Sequence, residues 1–289
     1  MGNFSSERLV SKLGNKWKLR IVNLLVYVLF TIIVLLIVFP LLWMVYSSFK
    51  QGWDIARNPY ALPTKPSLAN YQEAWTKGNF ALYFFNSVIV SGPAVLGLLL
   101  ISSVGAFAFA RLDFWGKKVL FGYLIIGIMI PGFTVLIPTF LVMSVMHLIN
   151  SRFALYFTYW SWCSVAILIL RAFFYALPEE LIQAAKIDGC TTFGTFWRIA
   201  LPLTTSGIAT VALFYFVIYW NDFIWPLILL REDAKNTIPL GLMNFRGQFS
   251  VNWGGQLAAL TIALLPPLVF YMFFQSKFVN AVTAGALKG

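Results

Sequence analysis

Six long apolar segments place the strongest constraint on how this chain can fold. Spanning the hydrocarbon core of a bilayer as a helix takes about 20 mostly apolar residues. A spanning helix bonds every backbone N–H and C=O within itself, which an irregular segment in lipid cannot do. The sequence therefore predicts an all-α, polytopic membrane protein of about six transmembrane helices. The segments lie near residues 21–47, 82–110, 118–146, 153–175, 206–230 and 256–276.

The composition and charge pattern agree with this prediction. Of the 289 residues, 60% are hydrophobic and only 11% are charged, unlike an ordinary soluble domain. The net charge of +11 would suit a nucleic-acid binder, but the basic residues form no single stripe with interleaved aromatic residues. They lie mostly between the apolar segments, as expected beside anionic lipid head groups. We therefore expect membrane lipid, and no nucleic acid, around this chain.

Basic residues at the segment ends predict the orientation of the chain. The N-terminal segment 1–20 is basic and leads into a long apolar run without a small-residue cleavage site, so it reads as an uncleaved signal anchor. The turn at 111–118 is also basic, whereas the loop before the fourth segment carries only Arg152. Alternation then places both termini and the loop 171–206 in the cytoplasm. The exported loops are 51–81 and 231–255.

The chain is predicted to form a single transmembrane domain over residues 1–289. It shows no internal repeat and no polar block large enough for a separate soluble domain. Its third apolar segment is interrupted by Pro131, Gly132 and Pro138. A membrane helix tolerates such residues where neighbouring groups or water satisfy the freed backbone carbonyls, so the segment is kept as a span.

Residues that carry catalysis are scarce. No G-x-x-x-x-G-K-[ST] motif is present, so the chain is not expected to bind ATP by a phosphate-cradling loop. His147 is the only histidine and has no nearby cysteine or acidic cluster. Cys163 lies in an apolar segment and Cys190 in a polar loop, which argues against a disulfide. We predict no catalytic residue, metal or cofactor in this chain, and no enzyme activity of its own.

The loop 171–206 is predicted to form two short helices around a turn. Pro178 suits a first helical turn, Glu179 and Glu180 complement the helix dipole there, and Asp188-Gly189 provides a stop.

One face of the first of these helices is a candidate docking surface. Leu181, Ala184, Ala185 and Asp188 recur at helical spacing, and the two alanines leave a flat spot that another protein can approach closely. The alternative is an amphipathic helix that lies on the lipid interface.

This loop resembles the cytoplasmic loop of permease subunits from binding-protein-dependent, ATP-driven (ABC) importers, whose pattern is Glu-Ala-Ala, then Asp-Gly-Ala, then Leu-Pro. The matching places here are Gln183-Ala184-Ala185, Asp188-Gly189-Cys190 and Leu201-Pro202, so Gln replaces the usual Glu and Cys the usual Ala. In that family the loop is the coupling helix, which docks into a groove on the ATPase subunit. The resemblance assigns coupling to Glu180, Gln183, Ala184, Ala185, Asp188, Gly189 and Phe193.

The likeness extends over most of the chain and points to the carbohydrate branch, the group similar to the smaller permease of the maltose importer. It rests on Asn70-Tyr71, the run Gly105 to Arg111, Trp220-Asn221-Asp222-Phe223 and the tail 283–289. It implies a type I ABC importer permease fold in the bacterial cytoplasmic membrane. The implied partners are a second homologous permease, two copies of an ATPase subunit that carries ATP and Mg²⁺, and an extracytoplasmic solute-binding protein. The implied cargo is a sugar, expected to be an oligosaccharide.

Two polar residues inside the fifth apolar segment are candidates for the substrate pathway. Asn221 and Asp222 are costly in lipid unless they face protein or water, so they either line a route or join helices by hydrogen bonds. Both readings stay open at this point. The candidate pathway residues are Tyr219, Asn221, Asp222 and Trp225.

Three other functions remain as alternatives. An ABC permease for a non-sugar solute, such as a polyamine, phosphate or an amino acid, would keep the same loop, although the sugar-type tail argues against it. An ion-coupled secondary transporter would be expected to show internal repeats and ionisable residues at mid-membrane. A membrane-embedded enzyme would need clustered His, Asp or Glu side chains facing a cavity.

Overall fold

The computed structural model describes residues 4–76, 78–245 and 252–286. Within these residues every regular element is helical, in agreement with the predicted all-α class. Three helices there are individually long and apolar enough to cross a membrane, and three bent helix pairs pass the same test together, which gives up to six spans. Part of the loop 231–255 and the end of the tail 283–289 lie outside the described residues.

The first span belongs to one long helix, α1 (Phe4–Ser47). At 1.5 Å per residue its 44 residues extend about 66 Å, which is longer than a hydrocarbon core of about 30 Å requires. None of its 18-residue apolar window is buried, so its side chains face outward from the chain. Two short helices follow, α2 (Gly52–Arg57) and α3 (Ala69–Thr76).

The second span, α4 (Phe80–Arg111), forms the centre of the fold. Three later helices pack against it, namely α7 (Arg152–Ser161), α8 (Ser164–Tyr175) and α12 (Thr205–Trp220). Pro93 lies inside this helix and has no N–H to offer the carbonyl of Ile89. The hydroxyl of Tyr156 donates to that carbonyl at 2.7 Å. A side chain from another span therefore satisfies the group that the proline leaves free.

The third and fourth spans are each broken into two helices. α5 (Lys117–Met129) is followed by a 3-10 turn and α6 (Leu136–Val145), with a bend of 98°. This break falls at Pro131 and Gly132, where the sequence predicts an interruption. α7 (Arg152–Ser161) and α8 (Ser164–Tyr175) meet at 51°.

The loop after the fourth span is shorter than the predicted 171–206. It contains two helical stretches, 179–187 and 192–203, as the sequence predicts. α8 continues to Tyr175, so Arg171 lies within a helix and not in the loop. Its guanidinium lies over the ring of Phe121, 4.5 Å from the ring centroid. The loop itself contains α9 (Glu179–Ile187), then α10 (Thr192–Thr195), a π turn and α11 (Leu201–Leu203).

The fifth and sixth spans complete the bundle. α12 (Thr205–Trp220) bends by 75° from the preceding helical segment and is followed by α13 (Ile224–Leu229). A short helix, α14 (Ile238–Gly241), precedes the last long helix, α15 (Trp253–Ala286). The main apolar core lies among α4, α7, α8 and α12, and a smaller one lies where α3, α4 and α15 meet.

Candidate functional site

The end of α9 is closed by a Schellman motif around Gly189. The N–H of Cys190 donates to the carbonyl of Ala185 at 2.9 Å, and the N–H of Gly189 donates to that of Lys186 at 3.1 Å. Gly189 has a φ of +76°, which a residue without Cβ adopts at little cost. The predicted Asp188-Gly189 stop is thus a defined C-terminal cap.

One residue of the predicted docking face of α9, Ala185, is buried and not exposed. Ile182 and Ala185 are buried against the rest of the chain, with 4% and 2% of their surface exposed. Adjacent residues on a helix point about 100° apart, so Ala184 faces outward while Ala185 faces inward. Ile187, which the sequence pattern did not single out, is 86% exposed.

The second helical piece lies next to α9 and has an exposed aromatic ring of its own. Thr191 caps α10 by accepting a hydrogen bond from the N–H of Gly194 at 3.1 Å. Phe193, on the first turn, is 71% exposed and meets the ring of Trp197 edge-on at 5.9 Å. We call Ala184, Ile187 and Phe193 the α9–α10 face. Of the predicted coupling residues, the structure leaves Glu180, Gln183, Ala184, Asp188, Gly189 and Phe193 exposed and buries Ala185.

A guanidinium fixes the start of α9 to the end of α4. Arg111 Nη1 lies 2.5 Å from Glu179 Oε2, and Arg111 Nε donates to the carbonyl of Phe174 at 2.9 Å. Nη2 donates to the carbonyls of Tyr175 and Leu177. The arginine side chain is only 8% exposed.

The breaks of the third and fourth spans border a cavity between helices, which is the second candidate site. It has a volume of about 500 Å³, and its lining includes Gly132 and Trp162 from these two breaks and Asp222 from the turn between α12 and α13. Backbone that leaves helical geometry at membrane depth is tolerated where it is buried in protein or lines a water-filled cavity. The breaks are well inside the spans, since α7 and α8 contain 10 and 12 residues.

Hydrogen bonds and stacked aromatic rings fix one wall of the cavity. Asp222 Oδ2 accepts from the Tyr159 hydroxyl at 2.6 Å, and Oδ1 accepts from the Ile224 N–H at 3.1 Å. The rings of Tyr159 and Tyr219 stack with centroids 4.2 Å apart, and the Tyr219 hydroxyl donates to the Tyr159 carbonyl at 3.0 Å. The carboxylate therefore both joins helices and borders the cavity.

Three of the four predicted pathway residues line this cavity. Tyr219, Asp222 and Trp225 do so, whereas the amide of Asn221 donates to the carbonyl of Val217 on its own helix and is outside the lining. Tyr159 and Trp162 also line it, although no local pattern in the sequence marks them as pathway residues. They belong to another span, and aromatic residues are common throughout the chain.

A polar network holds the segment after α13 at the Phe80 end of α4. Asn86 donates to the carbonyls of Ala234 and Asn236 at 2.9 and 3.0 Å, and it accepts from Arg152 at 2.7 Å. Nearby, hydrogen bonds from Lys235 and then from Asn150 lower the pKa of Glu232 below its usual value. This segment is thereby tied to both α4 and the start of α7.

These features define a class: a polytopic membrane subunit with broken spans, an open cavity between helices and a helix presented at one end. Among the described residues no group of three or more His, Cys, Asp or Glu is placed to hold a metal ion. The chain belongs to the family described as the binding-protein-dependent transport system inner membrane component, whose pattern matches residues 97–283. It is thus an inner-membrane, pore-forming permease subunit of an ABC importer and not an enzyme, and it works with other components of such an importer.

Named relatives agree with this family, and a solved structure shares the fold. The chain is 30% identical to a diacetylchitobiose uptake system permease protein of Streptomyces coelicolor, over 88% of this chain and 85% of that protein. It is 34% identical to an arabinooligosaccharides transport system permease protein of Halalkalibacterium halodurans, over 90% and 94%. A bacterial ABC transporter involved in the import of the acidic polysaccharide alginate has a similar fold, with a TM-score of 0.81 and 20% identity, covering 90% of this chain and 97% of that one.

Proposed function

We propose that this chain is a sugar permease that moves an oligosaccharide across the bacterial cytoplasmic membrane by alternating access. The observation that carries the proposal is the α9–α10 face, an exposed small and apolar surface at the position of the family's coupling loop. The relatives named for diacetylchitobiose and arabinooligosaccharides favour a carbohydrate cargo. In this proposal no bond of the sugar is broken.

The α9–α10 face is the proposed docking surface for an ATPase subunit. Ala184 leaves room for close approach, and Ile187 and Phe193 supply apolar area that would be buried in a groove. The full importer would contain a second homologous permease, two ATPase subunits that hold ATP and Mg²⁺, and an extracytoplasmic solute-binding protein. Both termini would be cytoplasmic, as the basic residues predict.

The cavity at the helix breaks is the proposed route of the sugar. Its volume of about 500 Å³ falls within the usual range of small-molecule sites, about 300–1,000 Å³. The aromatic rings of Trp162, Tyr219 and Trp225 offer apolar faces to a sugar ring, and Asp222 can accept a hydrogen bond from a sugar hydroxyl. Closure of the ATPase dimer would pull on α9 and exchange inward-open for outward-open arrangements around this cavity.

Reconstitution of the complete importer in proteoliposomes tests the cargo. We expect ATP-dependent uptake of at least one of three labelled sugars, diacetylchitobiose, an arabinooligosaccharide and an alginate oligosaccharide, and only with the binding protein present. Uptake of spermidine or phosphate in place of all three would identify the non-sugar permease. Uptake driven by an ion gradient without the ATPase subunits would overturn the proposal.

The substitution Ala184→Arg tests the docking surface. The side chain at 184 is exposed, so the larger residue should leave the chain folded in the membrane while it blocks close approach of the ATPase. We expect uptake to fall by at least about tenfold, because burying an unpaired charge in an interface costs several kcal/mol. Ala184→Ser, which keeps the residue small, is the control and should retain uptake. Equal uptake by both variants would remove the docking role, whereas Ala185→Arg would disturb the packing of α9 itself.

A further inference from the structure

One guanidinium joins three helical ends at the base of α9. Arg111 is the last residue of α4, and its Nη1 pairs with Glu179, the first residue of α9. Its Nε and Nη2 bond to carbonyls at and just beyond the end of α8, including those of Phe174 and Tyr175. We call this group of contacts the Arg111 clamp.

The geometry of the clamp requires arginine. The last carbonyls of a helix lack intrahelical partners and carry partial negative charge, and α8 ends in such groups. A planar guanidinium offers five N–H donors in a fixed fork, so it bonds carbonyls on one side and a carboxylate on the other. A lysine ammonium at the same place would reach only part of this set, because its three donors radiate from a single nitrogen.

Three phenylalanine rings reinforce the same junction on its buried side. Phe107 of α4 meets Phe174 of α8 at 5.7 Å and Phe196 of the π turn at 5.3 Å between centroids. At most 5% of each side chain is exposed. Because close-packed rings transmit displacement instead of absorbing it, α4, α8 and the segment after α9 are held as one unit at this point.

Gln183 completes the clamp from inside α9. Its amide nitrogen donates to Glu179 Oε1 at 2.9 Å, while the other oxygen of Glu179 faces Arg111. A glutamate at 183, the residue usual in the family pattern, would place a second carboxylate beside the first and compete for the guanidinium. The neutral amide at 183 therefore matches the ion pair at 179.

We infer that Arg111 is a positioning residue that carries displacement of α9 into α4 and α8, with Glu179 and Gln183 as its counterpart on α9. The inference rests on the proposed docking of α9 to an ATPase. It assigns Gln183 to the internal clamp and leaves the contact with the partner to the α9–α10 face.

A labelling experiment on the complete importer in nanodiscs tests the inference without knowledge of the sugar. Ile218 lines the cavity, so a cysteine introduced there by Ile218→Cys serves as the reporter. The two native cysteines are removed by Cys163→Ala and Cys190→Ala, so that only the reporter reacts. The rate of reaction with a soluble maleimide is measured without nucleotide and after trapping with ATP, Mg²⁺ and vanadate. ATP hydrolysis is measured on the same samples.

The reference importer should show a labelling rate that changes with nucleotide. In Arg111→Lys we expect this change to shrink by about twofold to thirtyfold, the range found for residues that transmit coupling, while ATP hydrolysis stays within about twofold of the reference. Glu179→Gln, a milder change at a half-exposed residue, should shift the ratio in the same direction. Arg171→Lys is the matched control, since Arg171 joins α8 to α4 and α5 without touching α9 in the described contacts.

Three results of the labelling and hydrolysis measurements would contradict the inference. A nucleotide-dependent ratio in Arg111→Lys and Glu179→Gln equal to that of the reference would overturn the clamp and leave the proposed function standing. A parallel loss of ATP hydrolysis and labelling in Arg111→Lys, with Glu179→Gln unchanged, would assign Arg111 to holding the fold and also overturn it. A reference importer without any nucleotide dependence would overturn the proposed function, and with it the clamp.

Discussion

At the scale of single residues, one tryptophan shows how closely the spans approach. Trp160 of α7 lies against α4, and its indole N–H donates to the carbonyl of Ala94 at 3.0 Å. Its ring also stacks on that of Tyr156 at 5.8 Å. A Cβ added at Gly97 would lie 2.3 Å from the indole, which these two contacts prevent from moving aside.

Gly97→Ala should therefore destabilise the protein by about 1–3 kcal/mol, because overpacking forces the ring or the helix to shift. Gly92→Ala on the same helix is the matched control, since an added Cβ there meets nothing within 4 Å. The control should be neutral or more stable by up to about 1 kcal/mol, from the better helix propensity of alanine. Thermal unfolding of both variants in the same detergent measures the difference. Equal melting temperatures would contradict the close approach.

Residues with local partners are predictable from this sequence, whereas residues with distant partners are not. The helix stop at Gly189 follows from local chemistry, and the structure has it where the sequence predicts it. The role of Arg111 does not follow, because its partners lie 63 to 68 residues away in the chain. The inward direction of Ala185 also depends on which side of α9 meets the bundle, and the local spacing does not fix that side.

At the scale of elements, the network at the Phe80 end of α4 holds an otherwise irregular segment in place. Asn86 is 1% exposed, and both of its amide hydrogens are used on the backbone of that segment. Ser87 accepts a further bond from the N–H of Ile238 at 2.8 Å. The segment therefore opens only when several hydrogen bonds break together.

Asn86→Ala should speed tryptic cleavage after Arg231 or Lys235 by roughly tenfold, because it removes two or three hydrogen bonds of about 0.5–1.5 kcal/mol each. Ser91→Ala is the control: Ser91 is also buried in α4, but its hydroxyl has no hydrogen-bond partner among the described residues. Limited proteolysis of the two variants, with the fragments identified by mass spectrometry, gives the rates. Similar rates would show that Asn86 does not hold the segment.

The elements differ in how far their sequence predicts them. The third span is broken at Pro131 and Gly132, and a proline followed by a glycine predicts such a break from the sequence alone. The fourth is broken at Trp162 and Cys163, where no proline or glycine gives a local signal. A Cβ added at Gly132 would lie 2.8 Å from the Trp162 ring, so the two breaks fit each other. Such a fit arises from packing between spans and is absent from either segment alone.

At the scale of the whole molecule, two exposed tryptophans are predicted to lie on opposite sides of the membrane. Trp53 follows the first span and Trp115 follows the second, with 83% and 99% of their surfaces exposed. The basic turn at 111–118 is predicted to be cytoplasmic, which places Trp53 outside.

Single cysteines at these two positions test the orientation, in a background without Cys163 and Cys190. We expect an impermeant maleimide to label Trp53→Cys in intact cells and Trp115→Cys only in inside-out vesicles, because alternate loops face opposite sides. Both positions are exposed, so each serves as the control for the reactivity of the other. The reverse pattern would invert the predicted topology.

The bare surface of α1 has a consequence for how this protein changes over generations. No part of its apolar window is buried within the chain, and from Arg20 onward the first half-buried residue of this helix is Trp43. Lipid tails distinguish poorly among leucine, isoleucine, valine and phenylalanine, whose insertion energies differ by only a few tenths of a kcal/mol. Wherever residues 21–42 face lipid and not another subunit, natural selection should therefore act on their hydrophobicity and length more than on their identity. Residue identity should then vary more along this helix than at the buried positions of α4, where the packed neighbours limit the size and shape of each side chain.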